Sequence, residues 1–209
     1  MALSKIQAES MNLADTYAFT GTVSGTNGAG AYEVINSSTS TNTSTLEVTG
    51  FDNGNKHFML VLKMEPLTDS ASNHAMCQFG NDSGYYSLGH ATVTEIYTNN
   101  DGTDKSQNFS AVGDDGSRLQ MTRDPLTRYS ADVGITNGVF YVYTNNPYEA
   151  GKYTYLGGHG DHFHSTSYSM RTHYTGVYSS NTQFKKAKFF LASGNSFSGT
   201  ATLYGSLEA

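Results

Sequence analysis

Apolar and polar residues alternate along much of this chain with a period of two. Phe58, Leu60, Leu62 and Met64 fall on one side and Lys63 and Glu65 on the other, the pattern of a half-buried strand. Shorter segments of the same kind predict strands at 17–23, 75–79, 91–97, 118–122, 139–144, 152–156, 162–170, 186–192 and 199–204. Between them stand Asn53-Gly54, Asn99-Asn100-Asp101-Gly102, Asp114-Asp115-Gly116, Asn145-Asn146-Pro147 and Ser193-Gly194-Asn195. Gly and Asn tolerate positive φ, so these are turn signals with a mechanism. Some ten short strands so punctuated predict an all-β fold, a β-sandwich and most simply a jelly roll. Three prolines in the whole chain leave most strands able to pair internally.

The first fifteen residues differ from the rest. Ser4 and Gln7 have capping-box spacing, and Leu3, Ile6, Ser10 and Leu13 fall near one helical face. The start therefore reads as a short N-terminal helix or as an extended arm that orders against a partner. Residues 36–45 are all Asn, Ser or Thr. Composition alone makes them a flexible linker, while Thr also suits a solvated edge strand. The expected organisation is an N-terminal attachment arm with its polar stretch over residues 1–45 and a β-sandwich body over residues 46–209.

Composition agrees with the pattern. The 209 residues include 24 Ser, 25 Thr, 16 Asn and 22 Gly, and only 14 % are charged. An average soluble chain carries about 25 % charge. Aromatics reach 12 %, with 15 Tyr, 11 Phe and no Trp. A helical bundle would need Ala, Leu, Glu and Lys in quantity, and a disordered chain lacks aromatics. The net charge is −6, and the densest basic cluster is Lys185, Lys186 and Lys188, too small to track phosphates. No nucleic-acid partner is expected. Cys77 is the single cysteine, so neither an intrachain disulfide nor a Cys-based zinc site is available. It reads as a buried inert thiol or as a reactive one. No stretch near Met1 has the length and apolarity of a signal peptide or membrane span, so synthesis in a cytoplasm without membrane insertion is expected.

The Asp/Asn/Gly clusters lack the alternating ligands of a calcium loop and read as turns. No phosphate loop, nucleotide fingerprint or nucleophile elbow is present, and no carboxylate pair stands out. No catalytic residue is assigned. His159-Gly160-Asp161-His162-Phe163-His164 is the one dense imidazole cluster. On a strand at 162–170, His162 and His164 share a face. Three chains around a three-fold axis would then offer six nitrogens, a set that suits iron or another transition metal. A single-chain zinc site of His159, Asp161, His162 and His164 is a further option, and exposed histidines at a Gly157-Gly158 turn are the plain one. Residues 141–178 also hold eight of the fifteen tyrosines and four of the seven histidines. Tyrosine joins a large apolar face to a hydroxyl and loses little entropy when fixed, which suits recognition surfaces and sugar rings. Tyr141, Tyr143, Tyr148, Tyr153, Tyr155, Tyr168 and Tyr174 are the candidate contacts to a ligand or sister subunit. The alternative places about half of them in the core.

Three stretches resemble structural proteins of tailed bacteriophages, particularly marine ones. The first is Leu3-Ser4-Lys5-Ile6-Gln7-Ala8-Glu9-Ser10 with Leu13-Ala14-Asp15 and Phe19-Thr20-Gly21-Thr22-Val23. The second is residues 58–69 followed by Phe79-Gly80-Asn81-Asp82-Ser83-Gly84-Tyr85-Tyr86. The third is Phe189-Phe190-Leu191-Ala192-Ser193-Gly194-Asn195 with Gly199-Thr200-Ala201-Thr202-Leu203-Tyr204-Gly205. The resemblance implies a non-enzymatic virion protein: a homotrimeric tail fibre or receptor-binding component whose arm holds other virion proteins. Its body would meet a host-surface glycan or protein. Capsid or tail decoration is the first alternative, and a carbohydrate-binding module or lectin the second. Some phage fibre tips bind iron through His-x-His pairs on a three-fold axis, and here only His162-Phe163-His164 matches.

Overall fold

The period-two alternation is kept in space. The computed structural model describes residues 32–51, 57–85, 88–98, 104–110, 118–122, 126, 138–144, 154–165, 168–178 and 184–206. Thirteen strands account for most of them. They are β1 (Glu33–Thr43), β2 (Thr45–Thr49), β3 (His57–Pro66), β4 (Ala75–Asn81), β5 (Gly84–Tyr85), β6 (Leu88–Thr98) and β7 (Asp104–Ser110). There follow β8 (Leu119–Gln120), β9 (Val139–Thr144), β10 (Thr154–Ser165), β11 (Tyr168–Tyr178), β12 (Lys186–Leu191) and β13 (Phe197–Ser206). No helix occurs among the described residues.

The strands form two antiparallel sheets. The larger runs β1-β13-β3-β9-β10-β11-β6-β7, and the smaller runs β2-β12-β4-β5, with β8 also paired to β4. Successive strands step between the sheets: β1, β3 and β13 lie in the larger, β2, β4 and β12 in the smaller. Taken alone, β1-β13-β3-β9 against β2-β12-β4-β5 is the strand order of a jelly roll. Two hairpins inserted into that frame, β6–β7 and β10–β11, widen the larger sheet beyond β9.

The core lies between the sheets and is built from alternate residues. Phe58, Leu60, Leu62 and Met64 of β3 face Leu46 and Val48 of β2, Cys77 and Phe79 of β4, and Ala187, Phe189 and Leu191 of β12 in one buried cluster. Phe51, Phe58, Phe79 and Phe184 close one end of it. Their ring centroids are 4.9–5.7 Å apart in tilted and edge-on pairs. Each such side chain contributes about 1.5–3 kcal/mol by leaving water. Cys77 is among them, so its thiol is the buried one of the two readings. Burial pushes that thiol up from its ordinary range.

Two expectations are revised. The polar stretch takes the edge-strand form of its two readings, so the body does not begin at residue 46: residues 33–43 form β1, an edge strand of the larger sheet. Ser37 and Thr39 bond through their hydroxyls to Thr202 and Thr200 of β13, each at 3.0 Å. Asn36 donates to the Thr49 carbonyl of β2 at 3.1 Å, tying the two sheets at this edge. Register shifts at Val34/Asn36 and Ser40/Thr43, with polar side chains, blunt the open edge. The single strand expected at 162–170 is instead the end of β10 and the start of β11, two halves of a hairpin. Strand β7 is a Lys/Ser/Gln/Asn segment whose polarity hid it. The predicted N-terminal helix or arm and the strand at 17–23 lie outside the described residues.

Candidate functional site

Period two fixes which way each residue of the larger sheet faces. On β10, Leu156, Gly160 and His162 are buried, while Tyr155 and Asp161 are exposed on the other face. The ladder then sets neighbours. One outward row runs Val61 (β3), Tyr141 (β9), His159 (β10), His173 (β11) and Thr94 (β6). The adjoining row runs Tyr204, Met59, Tyr143, Gly157 and Thr175. On the other side lies the row Thr200, Lys63, Val139, Asp161 and Arg171.

The centre of this face is aromatic. The His159 ring stacks on Tyr141 at 4.9 Å and on Tyr143 at 5.9 Å, and lies 6.3 Å from His173. Tyr143 is 37 % exposed and Tyr155 62 %. Gly157 sits among them, and a Cβ built there would meet nothing within 4 Å. The outcome is a shallow trough floored by backbone at Gly157 and flanked by Tyr143, Tyr155, His159 and Thr175. Asp161 and Arg171 close one end as a mutually neutralising pair, Nε to Oδ1 2.8 Å. Beyond Val139, a cleft of about 360 Å³ is lined by Thr39, Thr41, Ser198 and Thr200 hydroxyls with Lys63 and Glu65.

Glycine on β10 does not make a turn. Gly157 and Gly158 lie in mid-strand, paired to β9 and β11 on either side. A Cβ at Gly158 would stand 2.1 Å from the Tyr141 carbonyl oxygen and 2.3 Å from the Tyr174 ring. One at Gly160 would stand 2.2 Å from the Phe140 ring. Rings from both neighbouring strands, Phe140 of β9 and Tyr174 of β11, thus occupy the space that side chains at Gly160 and Gly158 would fill.

Of the seven candidate tyrosines, Tyr141, Tyr143 and Tyr155 share the outer face. Tyr174 does not: it is 1 % exposed, part of the core, and its hydroxyl donates to the Tyr141 and His159 carbonyls. An even number of residues from buried Met170 and Thr172 puts it on the inner face, and it is withdrawn as a contact. Tyr148 and Tyr153 lie outside the described residues, and Tyr168 and His164 are placed by backbone only. His162 is 2 % exposed, on the inner face near the Phe140 ring at 6.1 Å. A group so buried is not presented to sister chains across the outer face. His159 and His162 also face opposite sides of the sheet, so the single-chain set of His159, Asp161, His162 and His164 cannot converge on one ion. Sequence reasoning did not single out His173 and read Gly157 as part of a turn; the place of both depends on the β10–β11 register. The Lys185–Lys188 cluster is locally committed: Lys185 pairs with Asp82 at 2.6 Å and Lys186 with Glu47 at 3.5 Å, while Lys188 lies 4.0 Å over the Tyr85 ring. Tyr85 in turn bonds Glu47.

Compared with known protein families, with curated proteins and with solved structures, the chain matches none.

Proposed function

We propose that this protein is a non-enzymatic structural component of a tailed-phage particle, a homotrimer that touches the host surface through the outer face of its larger sheet. The observation that carries the contact role is the Tyr143–His159–Tyr155 trough. Its aromatic faces are exposed on paired strands, its floor is open backbone at Gly157, and its one ion pair is self-neutralised. Rigid strands pre-organise such a surface, so little entropy is lost when a partner docks. Stacked aromatics beside hydroxyl-lined space suit the C–H faces and hydroxyls of a saccharide, and host-surface glycan is the partner class favoured. The virion setting and the trimer rest on the sequence resemblance.

The test uses the full chain on a glycan array and in adsorption assays with intact particles, beside a Tyr143→Ala variant. Saturable glycan binding that the variant loses supports the proposal. Silence on the array, with particles lacking the protein adsorbing normally, moves the protein to decoration of the capsid or tail. Light scattering reads the trimer separately, and a monomer would remove that part.

A further inference from the structure

We propose that His159 and His173 form a two-imidazole site for a divalent transition-metal ion on the outer face of the β10–β11 hairpin. The two residues are direct partners in the antiparallel ladder. Both side chains face outward, His173 exposed and His159 half-buried. Their ring centroids are 6.3 Å apart with planes inclined at 36°.

These distances match what chelation needs. A metal–nitrogen bond of about 2.0–2.1 Å puts each imidazole centroid about 3.2 Å from the ion. Two such rings are then about 5 Å apart at a tetrahedral angle and about 6.4 Å apart when opposed. The observed separation lies at the opposed end of that span, and a rotation of exposed His173 that moves its ring about 1 Å toward His159 would bring the pair to the tetrahedral spacing. Stacking on Tyr141 holds the His159 ring in place, and exposed His173 supplies the adjustment. Imidazole nitrogen suits Zn²⁺, Ni²⁺ and Cu²⁺, whereas Ca²⁺ and Mg²⁺ need oxygen sets. Asp161, a carboxylate on this face one row along the ladder, is engaged by Arg171. Among the described residues no third ligating side chain joins the pair, which leaves the remaining positions to water. The ion would clamp β10 to β11 and present exchangeable positions beside the Gly157 trough. This site differs from the His162/His164 reading in residues, face and stoichiometry: one ion per chain, with no three-fold axis required.

The inference does not rest on the contact role, because metal binding is read with no glycan or particle present. The experiment is calorimetric titration of ZnCl₂ into the full chain, made without a histidine tag and stripped with a chelator, with MgCl₂ as control. One Zn²⁺ should bind per chain and Mg²⁺ should not. His173→Gln and His159→Gln should each weaken Zn²⁺ by about tenfold or more, the loss that even an outer-shell partner commands. His57→Gln, on β3, should leave it unchanged. In the wild-type chain, Cu²⁺ should broaden the ring resonances of His159 and His173 together, which keeps the test valid if a variant misfolds. Absence of saturable Zn²⁺ binding, wild-type affinity in His173→Gln, or broadening confined to other imidazoles would overturn the proposal.

Discussion

The Tyr174 hydroxyl on β11 donates to the Tyr141 carbonyl on β9 at 2.6 Å, although β10 lies between those two strands. It can do so because Gly158, its ladder partner on β10, has no side chain to block the ring. A second acceptor, the His159 carbonyl, is 3.2 Å away. One buried phenol thus joins three strands directly beneath His159 and Tyr141, whose rings form the outer trough. Tyr174→Phe should cost about 0.5–1.5 kcal/mol, the net value of a hydrogen bond. Gly158→Ala should cost about 1–3 kcal/mol or more, since its methyl meets backbone on one side and a packed ring on the other. Urea denaturation of the two variants checks both figures, and the alanine variant should be the less stable.

Tyr143→Ala and Tyr155→Ala should behave differently. Both rings lie on the outer face, so each change should shift unfolding free energy by no more than about 1 kcal/mol, the worth of a cross-strand pair. A larger loss in either variant would show that ring to be holding the sheet rather than offering a surface. Thermal and urea unfolding beside the wild type suffice.

The phenylalanine cluster carries the end of the core nearest Gly50. Phe51 touches Phe58, Phe79 and Phe184 with centroids within 5.7 Å, and is fully buried. Phe51→Ala should therefore cost about 3–5 kcal/mol, the range for a buried aromatic leaving a cavity. Denaturant midpoint at unchanged slope is the reading, and a loss under 1 kcal/mol would mean that the cluster collapses into the gap without cost.

Alkaline pH should unfold this chain through Cys77 and Tyr174. Burial pushes both up, from ordinary values of 9.0 and 10.0. The unfolded chain gives up these protons first as pH rises, so folding then requires their recapture. Their contribution to stability is complete below pH 9 and is lost progressively above it. Stability measured from pH 7 to 11 should fall on the alkaline side, and Cys77→Ala should soften the first part of that fall. The Cys77 thiol should also resist thiol reagents until the chain unfolds.

How much of this was legible in the sequence depends on how local the signal was. β3 could be read because Phe58, Leu60, Leu62 and Met64 face one layer of core along its whole length. The jelly-roll order could not, since β13 pairs with β1 and β3 from the far end of the chain, and no local pattern encodes partners so distant. Gly157-Gly158 gives a turn signal locally, whereas the reason for Gly158 is a ring and a carbonyl from two other strands. Tyr174 and Tyr143 are the same residue type in the same aromatic stretch, and only strand parity sends one inward and the other outward. The His159–His173 pairing follows from a hairpin that turns between Ser165 and Tyr168, a point no local pattern marks. A strand imagined straight through that point pairs His162 with His164 instead.

The central claim is that the outer face of the larger sheet is what the particle presents to its host. Adsorption of particles carrying Tyr143→Ala and Tyr155→Ala together tests it most directly, with particle yield and protein stability measured alongside. The account predicts normal assembly and stability with adsorption slowed by about tenfold or more, as when central aromatic anchors are removed from an interface. Adsorption at the wild-type rate by such particles would contradict it.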